Sequence, residues 1–272
     1  MKKITVLTLL LILVLTLTAC DIDSLISSPS TNSGDTTSTQ PHMALDKNVE
    51  NILKRKYQVG SYFEMGTYIM SYEDGEPWYN EIVWNVIDVD EENHRILLIS
   101  NVILDGQPYN VEPMDVSWNS CTLRTWLNDD FFNNAFSASE QAIIADTNYS
   151  FGGETVTDKL FLLTESQVDD YLPVGQHSGS RPTQTGEATR YAYEQGVDCH
   201  TSHKTRGRDY SFKDGDAYSS WSNNAGWWLL TEEFGTTARF IGPWGPSAAG
   251  KVKVSEIFGV RPAMWLDLSI ND

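Results

Sequence analysis

The sequence predicts an α+β domain with small antiparallel sheets, flanking helices and one long loop region. Three observations carry that expectation. A β-rich pair, Ile82 to Val89 and Arg95 to Ser100, is followed by helix, helix, strand and helix, not by the alternation of a parallel sheet. Residues 173–226 contain Val174 and Val197 as their branched aliphatics and little else that would fill a core. From Gly226 onward the pattern turns β-rich again.

The chain opens on Met1-Lys2-Lys3, runs apolar from Ile4 through Leu15 and reaches Leu17-Thr18-Ala19-Cys20. A positive start, an apolar middle and small residues at a cut form an export signal, placed here at 1–19. A cysteine at the cut resembles the bacterial lipobox. That resemblance implies acylation of Cys20, which becomes the new N-terminus and holds the chain on the outer face of the cell membrane. The rival is an uncleaved transmembrane helix, but Ile4 to Ala19 is threonine-rich and shorter than the about 20 apolar residues a bilayer needs. Two or three acyl chains anchor stably where one does not. Residues 20–45, from the lipidated cysteine through a Ser/Thr-rich run, read as a flexible tether with nothing to bury and a reach of roughly 30 Å.

Roughly 225 residues remain, enough for one substantial core. The full chain has 37 acidic against 19 basic residues, a formal charge of −18, and loss of Lys2 and Lys3 makes the exported part more negative still. Nucleic acid and anionic lipid are therefore poor partners. The expected partners are the membrane, through the lipid anchor, and a glycan or surface protein.

Asp46 to Lys56 is compatible with a short leading helix, with the domain proper at 57–272. Ile82 to Val89 and Arg95 to Ser100 flank a polar turn and carry apolar residues on both faces, which predicts a hairpin covered on both sides. Asn119 or Ser120 can cap a helix whose Leu123, Trp126, Leu127 and Phe131 share one face. Ser137-Ala138-Ser139-Glu140 reads as a capping box, and Thr164-Glu165-Ser166-Gln167 as another, directly after an apolar strand at Leu160 to Leu163. Residues 173–226 are rich in Gly, Ser, Thr and Asn with scattered aromatics, a composition for a functional loop region. Strands are expected at Gly226 to Thr231, Ala238 to Gly242, Lys251 to Val254 and Gly259 to Leu266.

Several of these runs carry a family resemblance. They are Trp84-Asn85-Val86-Ile87-Asp88-Val89, Leu97-Leu98-Ile99-Ser100, Pro108-Tyr109-Asn110 and Cys121-Thr122-Leu123-Arg124-Thr125-Trp126-Leu127-Asn128. Ala135-Phe136-Ser137, Phe161-Leu162-Leu163, Trp227-Trp228-Leu229 and Gly259-Val260-Arg261-Pro262-Ala263-Met264-Trp265-Leu266 complete the set. Over residues 57–268 the chain resembles the domain of unknown function numbered 6273, found largely on surface and secreted proteins of Gram-positive bacteria. The closing pattern is similar to C-type-lectin-like domains and their formylglycine-generating relatives. That likeness implies paired terminal strands, two helices flanking a small sheet, and a long functional loop region at 173–226. It is an analogy of fold and does not transmit function.

For chemistry, the chain lacks Gly-x-Ser-x-Gly, His-Glu-x-x-His, Walker and dinucleotide motifs. Formylglycine-generating enzymes use a cysteine pair near the end of the domain, and nothing after Cys199 supplies one. Cys121 with His177, His200 or His203 offers a thiolate–imidazole option, but a cysteine at the start of an amphipathic helix is more often packed. Cys121 and Cys199 are either a disulfide, adding roughly 4–5 kcal/mol on the chain-entropy model, or two separate buried thiols. Cys199, His200 and His203, with Asp214 and Asp216 nearby, make a weak zinc or calcium site, and no metal is assigned.

The remaining option is a ligand platform. Tyr191, Tyr210, Trp221, Trp227, Trp228 and Trp244 supply flat faces, while Arg181, Arg190, Asn223, Asn224 and Arg239 supply directional hydrogen bonds. One of Trp227 and Trp228 is expected to be simply core. The expectation is thus a lipid-anchored, non-catalytic binding domain, with an envelope hydrolase or divergent oxidase, or an envelope assembly factor, as alternatives.

Overall fold

The computed structural model describes residues 46–151, 154–173, 183–199 and 224–271. Helix α1, Lys47–Lys54, starts where Asp46 accepts from the Asn48 and Val49 amides, and it buries Val49 and Ile52. This is the leading helix expected from the sequence. Among the described residues no helix is long and apolar enough to cross a membrane.

Two antiparallel strands follow, β1 (Tyr62–Glu73) and β2 (Glu76–Asp90), then β3 (Arg95–Ser100). With β13 (Ala263–Asp267) they form a four-stranded sheet in the order β1-β2-β3-β13. The β2–β3 hairpin is as expected, and five consecutive residues of β3 are buried, so both faces of that strand are covered. Strand β1 was not foreseen, although Asp74-Gly75 is a signal for a two-residue turn between aromatic-rich runs. Both turn residues have positive φ, +51° and +85°, as the type I′ turn requires.

A second sheet has five strands in the order β11-β10-β9-β12-β4. These are β4 (Asp105–Pro108), β9 (Trp227–Trp228), β10 (Thr237–Gly242), β11 (Gly245–Lys253) and β12 (Ile257–Val260). Every pairing in it is antiparallel except β9 with β12. The expected single strand from Gly259 to Leu266 is split at Arg261-Pro262, where proline offers no amide to a ladder, and its halves serve different sheets. Two further two-stranded antiparallel pairs occur among the described residues, the hairpin of β5 (Thr147–Phe151) with β6 (Glu154–Asp158), and the sequence-distant pair β7 (Gly186–Glu187) with β8 (Asn224–Ala225).

The expected helix near 120 is real but segmented. Cys121, not Asn119 or Ser120, is its N-cap residue; α2 (Thr122–Trp126) widens into a π turn at Leu127–Phe131 and continues as α3 (Phe132–Ala135). Asn128 in the widened turn accepts from the Lys159 and Leu160 amides and donates to the Leu160 carbonyl, so it clamps the chain that crosses it. Both foreseen capping boxes are present, starting α4 (Ala138–Ile143) and α5 (Glu165–Tyr171). Leu160 to Leu163 is not a strand. All four residues are fully buried, and the segment bridges the sheets: Phe161 exchanges bonds with Ala263, and the Leu163 carbonyl takes the Leu230 amide. A further α-helix, α6 (Arg190–Glu194), is capped by Thr189.

The core lies between these layers and is rich in tryptophan. Trp84, Trp118, Trp227 and Trp228 are all 0% exposed. Each indole N–H finds an acceptor: Met65 O, Asp158 Oδ2, Gln184 O and Gln107 O respectively, at 2.8–3.1 Å. Burying a tryptophan this deeply requires such a partner.

Candidate functional site: a tyrosine cluster over a buried aspartate

The β1–β2 hairpin carries exposed rings at Tyr62, Tyr72, Trp78 and Tyr79. Near its tip it meets α6. Tyr191 of α6 lies with its ring centroid 5.9 Å from that of Tyr68 and 5.8 Å from that of Tyr72. Burial raises the Tyr191 hydroxyl, and Asp105, Tyr72 and Tyr79 raise it further electrostatically. Tyr68 is also wedged against Phe131, at 4.7 Å.

Beneath these rings is Asp105, at the start of β4 and 1% exposed. Its Oδ2 accepts from the Tyr68 hydroxyl at 2.5 Å and its Oδ1 accepts from the Gly106 amide at 2.6 Å. Burial pushes the Asp105 carboxyl up to about 6, against the opposing pull of Tyr68, Gly106 and Gln107, which favour the charged form. The Tyr68 hydroxyl is raised well above its ordinary value by its own burial and by Asp105, and Tyr191 is pushed up to about 12. Gly106 leaves room for α6: a Cβ there would lie 2.7 Å from Val197 and 3.1 Å from the Ala192 carbonyl. The arrangement is an aromatic surface, partly open, with a negative group sealed behind it.

A second concavity, lined by Gly66, Thr67, Glu81, Asn134 to Ser137 and Glu140, opens beside the other end of the hairpin. Glu140 is spent on structure, accepting from the Gly66 and Ser137 amides at 2.9 and 2.8 Å. A hydrogen bond to the neighbouring Glu64 raises the Glu81 carboxyl. Both Glu64 and Glu81 are solvent-exposed, so the pair lacks the dry setting that gives a catalytic dyad its force.

Of the residues expected to form a platform, those described are dispersed. Arg181, Tyr210, Trp221 and Asn223 lie outside the described residues, as do Cys20, His177, His200, His203, Asp214 and Asp216. Tyr191 is in the cluster. Arg190, one residue before it, pairs with Glu194 at 2.9 Å. Asn224 is buried in β8, where it pairs with Glu187 of β7. Arg239 on β10 is held by Glu165 and Glu233, and Glu233 also takes Lys251. Trp244, 51% exposed, sits at the β10–β11 turn, whose Gly245 approaches Gln184 and Thr185. Trp227 and Trp228 are corrected: not one but both are core. Adjacent residues of a strand point to opposite faces, and β9 is the middle strand of its sheet with both faces covered, so neither ring reaches a surface.

The disulfide alternative is also corrected. No bond joins Cys121 to Cys199, and each is buried where it stands. Cys121 donates to the Trp118 carbonyl at 3.4 Å, and burial pushes its thiol up to about 12, which removes it as a nucleophile at neutral pH. Cys199 bridges to Ala225 of β8. Among the described residues no group of three or more His, Cys, Asp or Glu side chains is placed to hold a metal ion.

A family model described as a domain of unknown function, DUF6273, matches residues 93–268. The chain belongs to the DUF6273 family. No curated protein and no solved structure matches it. The DUF6273 match begins later than the expected residue 57, so β1 and β2 both stand wholly outside it. Within the DUF6273 stretch the first strand, β3, pairs directly with the last, β13. The tyrosine cluster therefore joins Asp105 and Tyr191 from the DUF6273 domain with Tyr68, Tyr72 and Tyr79 from a hairpin added to it.

Sequence reasoning missed Tyr68, Tyr72, Trp78, Tyr79 and Asp105. The available signal was the aromatic enrichment on both sides of Asp74-Gly75, which marks a hairpin with rings to spare. Nothing local links it to Asp105 or Tyr191.

Proposed function

We propose that this chain is a non-catalytic binding protein, anchored on the outer face of the cell membrane through lipidated Cys20. Residues 20–45 then tether a DUF6273 domain that engages a glycan or surface ligand. The observation that carries the reading is the exposure of rings on the β1–β2 hairpin, where Tyr72 and Tyr79 are 38% and 56% exposed close to Tyr191. Monomeric proteins seldom leave large rings together in water without a use for them. Aromatic faces with polar handles suit sugar rings and extended peptides alike. The buried Cys121 thiol favours binding over thiol catalysis. The pairing of the first and last DUF6273 strands, with helices outside a small sheet, supports the C-type-lectin-like relationship suggested by the closing motif.

The test is a glycan and peptidoglycan-fragment array probed with the intact chain. Saturable binding lost in Tyr72→Ala or Tyr79→Ala, and kept in Trp244→Ala, supports the hairpin face. A blank array from a folded chain sinks the glycan reading. The anchor is tested separately: Cys20→Ser should move the protein from the membrane fraction to the medium, and retention there would remove the lipoprotein assignment.

A further inference from the structure

We infer that the tyrosine cluster is a receptor for a small organic cation, a trimethylammonium or similar N-methylated head group. The inference rests on the hairpin face being a binding surface and specifies what it binds.

Tyr72 presents an exposed ring against half-buried Tyr191 with Tyr68 also in contact, and exposed Tyr79 on the neighbouring strand lies near enough to act electrostatically on the Tyr191 hydroxyl. The face of an aromatic ring is negative, and several rings around one point attract a cation without hydrogen-bonding it. Behind Tyr68 lies a carboxylate that no basic side chain among the described residues pairs with: the partners of Asp105 there are Tyr68, Gly106 and Gln107, all uncharged. The three cation–ring contacts among the described residues join Arg55 to Tyr57, Arg95 to Trp265 and Arg261 to Trp227, all outside the cluster. The rings and the carboxylate thus share a negative potential that the fold leaves unbalanced, and the chain's formal charge of −18 adds to it at long range. A bound cation relieves the cost of burying Asp105 in its charged form, whereas a neutral or anionic ligand does not.

The kind of cation follows from what the site lacks. Calcium or magnesium needs several free oxygen ligands. Both Asp105 oxygens are already engaged, and no metal-ligating group of three forms among the described residues. A primary ammonium is strongly hydrated and would lose its water for few hydrogen bonds in return. A methylated ammonium gives up little hydration and matches the rings in shape, so it is the ligand these rings favour.

The experiment is calorimetric titration of the full-length chain with choline and with 3,3-dimethyl-1-butanol, its neutral isostere. We expect saturable choline binding at least tenfold tighter than the isostere. It should fall at least fivefold in Tyr79→Ala and in Tyr72→Ala, survive in Tyr79→Phe, and weaken in Asp105→Asn. Tyr72 and Tyr79 are exposed, so their variants test the site without endangering the fold. Equal affinity for choline and the isostere, no choline binding, or binding untouched by Tyr79→Ala would each overturn the proposal. If glycans bind the same face and choline does not, cation specificity fails while the binding role stands. If neither binds, both fail.

Discussion

Asp105 and Arg261 are the two buried charges whose surroundings do most to define this protein, and they are solved differently. Asp105 is held by uncharged donors, and its carboxyl titrates at about 6 rather than near the usual 3.8. The folded state therefore binds the proton more tightly than the unfolded chain does. Its contribution to stability is complete below about pH 4 and is lost as pH rises through about 6, by roughly 3 kcal/mol at most. Asp105→Asn should flatten that part of the stability–pH curve. Denaturant titrations at pH 4 and pH 7 on both proteins check it, and equal pH dependence in the two would refute the assignment. Arg261 is 0% exposed and makes no ion pair among the described residues. It donates to the Ser100 and Thr183 carbonyls at 3.0 and 2.8 Å and lies 5.3 Å over Trp227. The planar fork is what reaches both carbonyls. Arg261→Lys keeps the charge but loses the fork, and should cost about 2–3 kcal/mol in urea unfolding.

The β1–β2 hairpin depends on two glycines with opposite demands. Gly66 has φ of +73°, and a Cβ there would sit 2.8 Å from the Ala135 carbonyl and the Phe136 ring. Gly75, at the tip, has φ of +85° and nothing within 4 Å. Both substitutions to alanine strain the backbone, by about 1 kcal/mol each. Only Gly66→Ala adds a clash, at the bulge where Glu140 also binds the backbone. It should be the more destabilising by at least about 1 kcal/mol, and equal costs would show that the packing of α3 against the hairpin is looser than the geometry states. The capped helices α4 and α5 behave as their sequences say because Ser137–Glu140 and Thr164–Gln167 close reciprocal bonds within one turn.

Taken together, the described residues are stabilised by apolar burial and satisfied tryptophans, with no covalent cross-link between Cys121 and Cys199. A reductant should accordingly leave the thermal midpoint unchanged. Both thiols should react with a bulky maleimide only after unfolding, which mass spectrometry would resolve; a fall in midpoint on reduction would contradict the two-thiol arrangement. The added hairpin extends the sheet formed by β3 and β13 and brings its rings to α6, so the candidate site exists only where the two parts meet.

What the sequence carried by itself was local. The leading helix within Asp46 to Lys56, the capping boxes, the hairpin from Ile82 to Ser100 and the α+β class all depend on neighbours within a few residues, and each was legible. The family motifs were legible too, because Cys121 to Asn128 and Gly259 to Leu266 are contiguous runs. Folding in three dimensions settled the rest. Leu160 to Leu163 has the composition of a strand, yet its partners are split between β13 and the segment after β9, so it bridges instead of pairing. Trp227 and Trp228 alternate as surface-facing strands do, and only their place in the middle of a covered sheet buries both. The cluster of Tyr68, Tyr72, Tyr79, Asp105 and Tyr191 is assembled from four elements, and no periodicity reports a contact across that distance along the chain. The physical reason is that caps and turns are short-range hydrogen bonds, whereas sites are made by burial, which depends on what the rest of the chain brings to cover each residue.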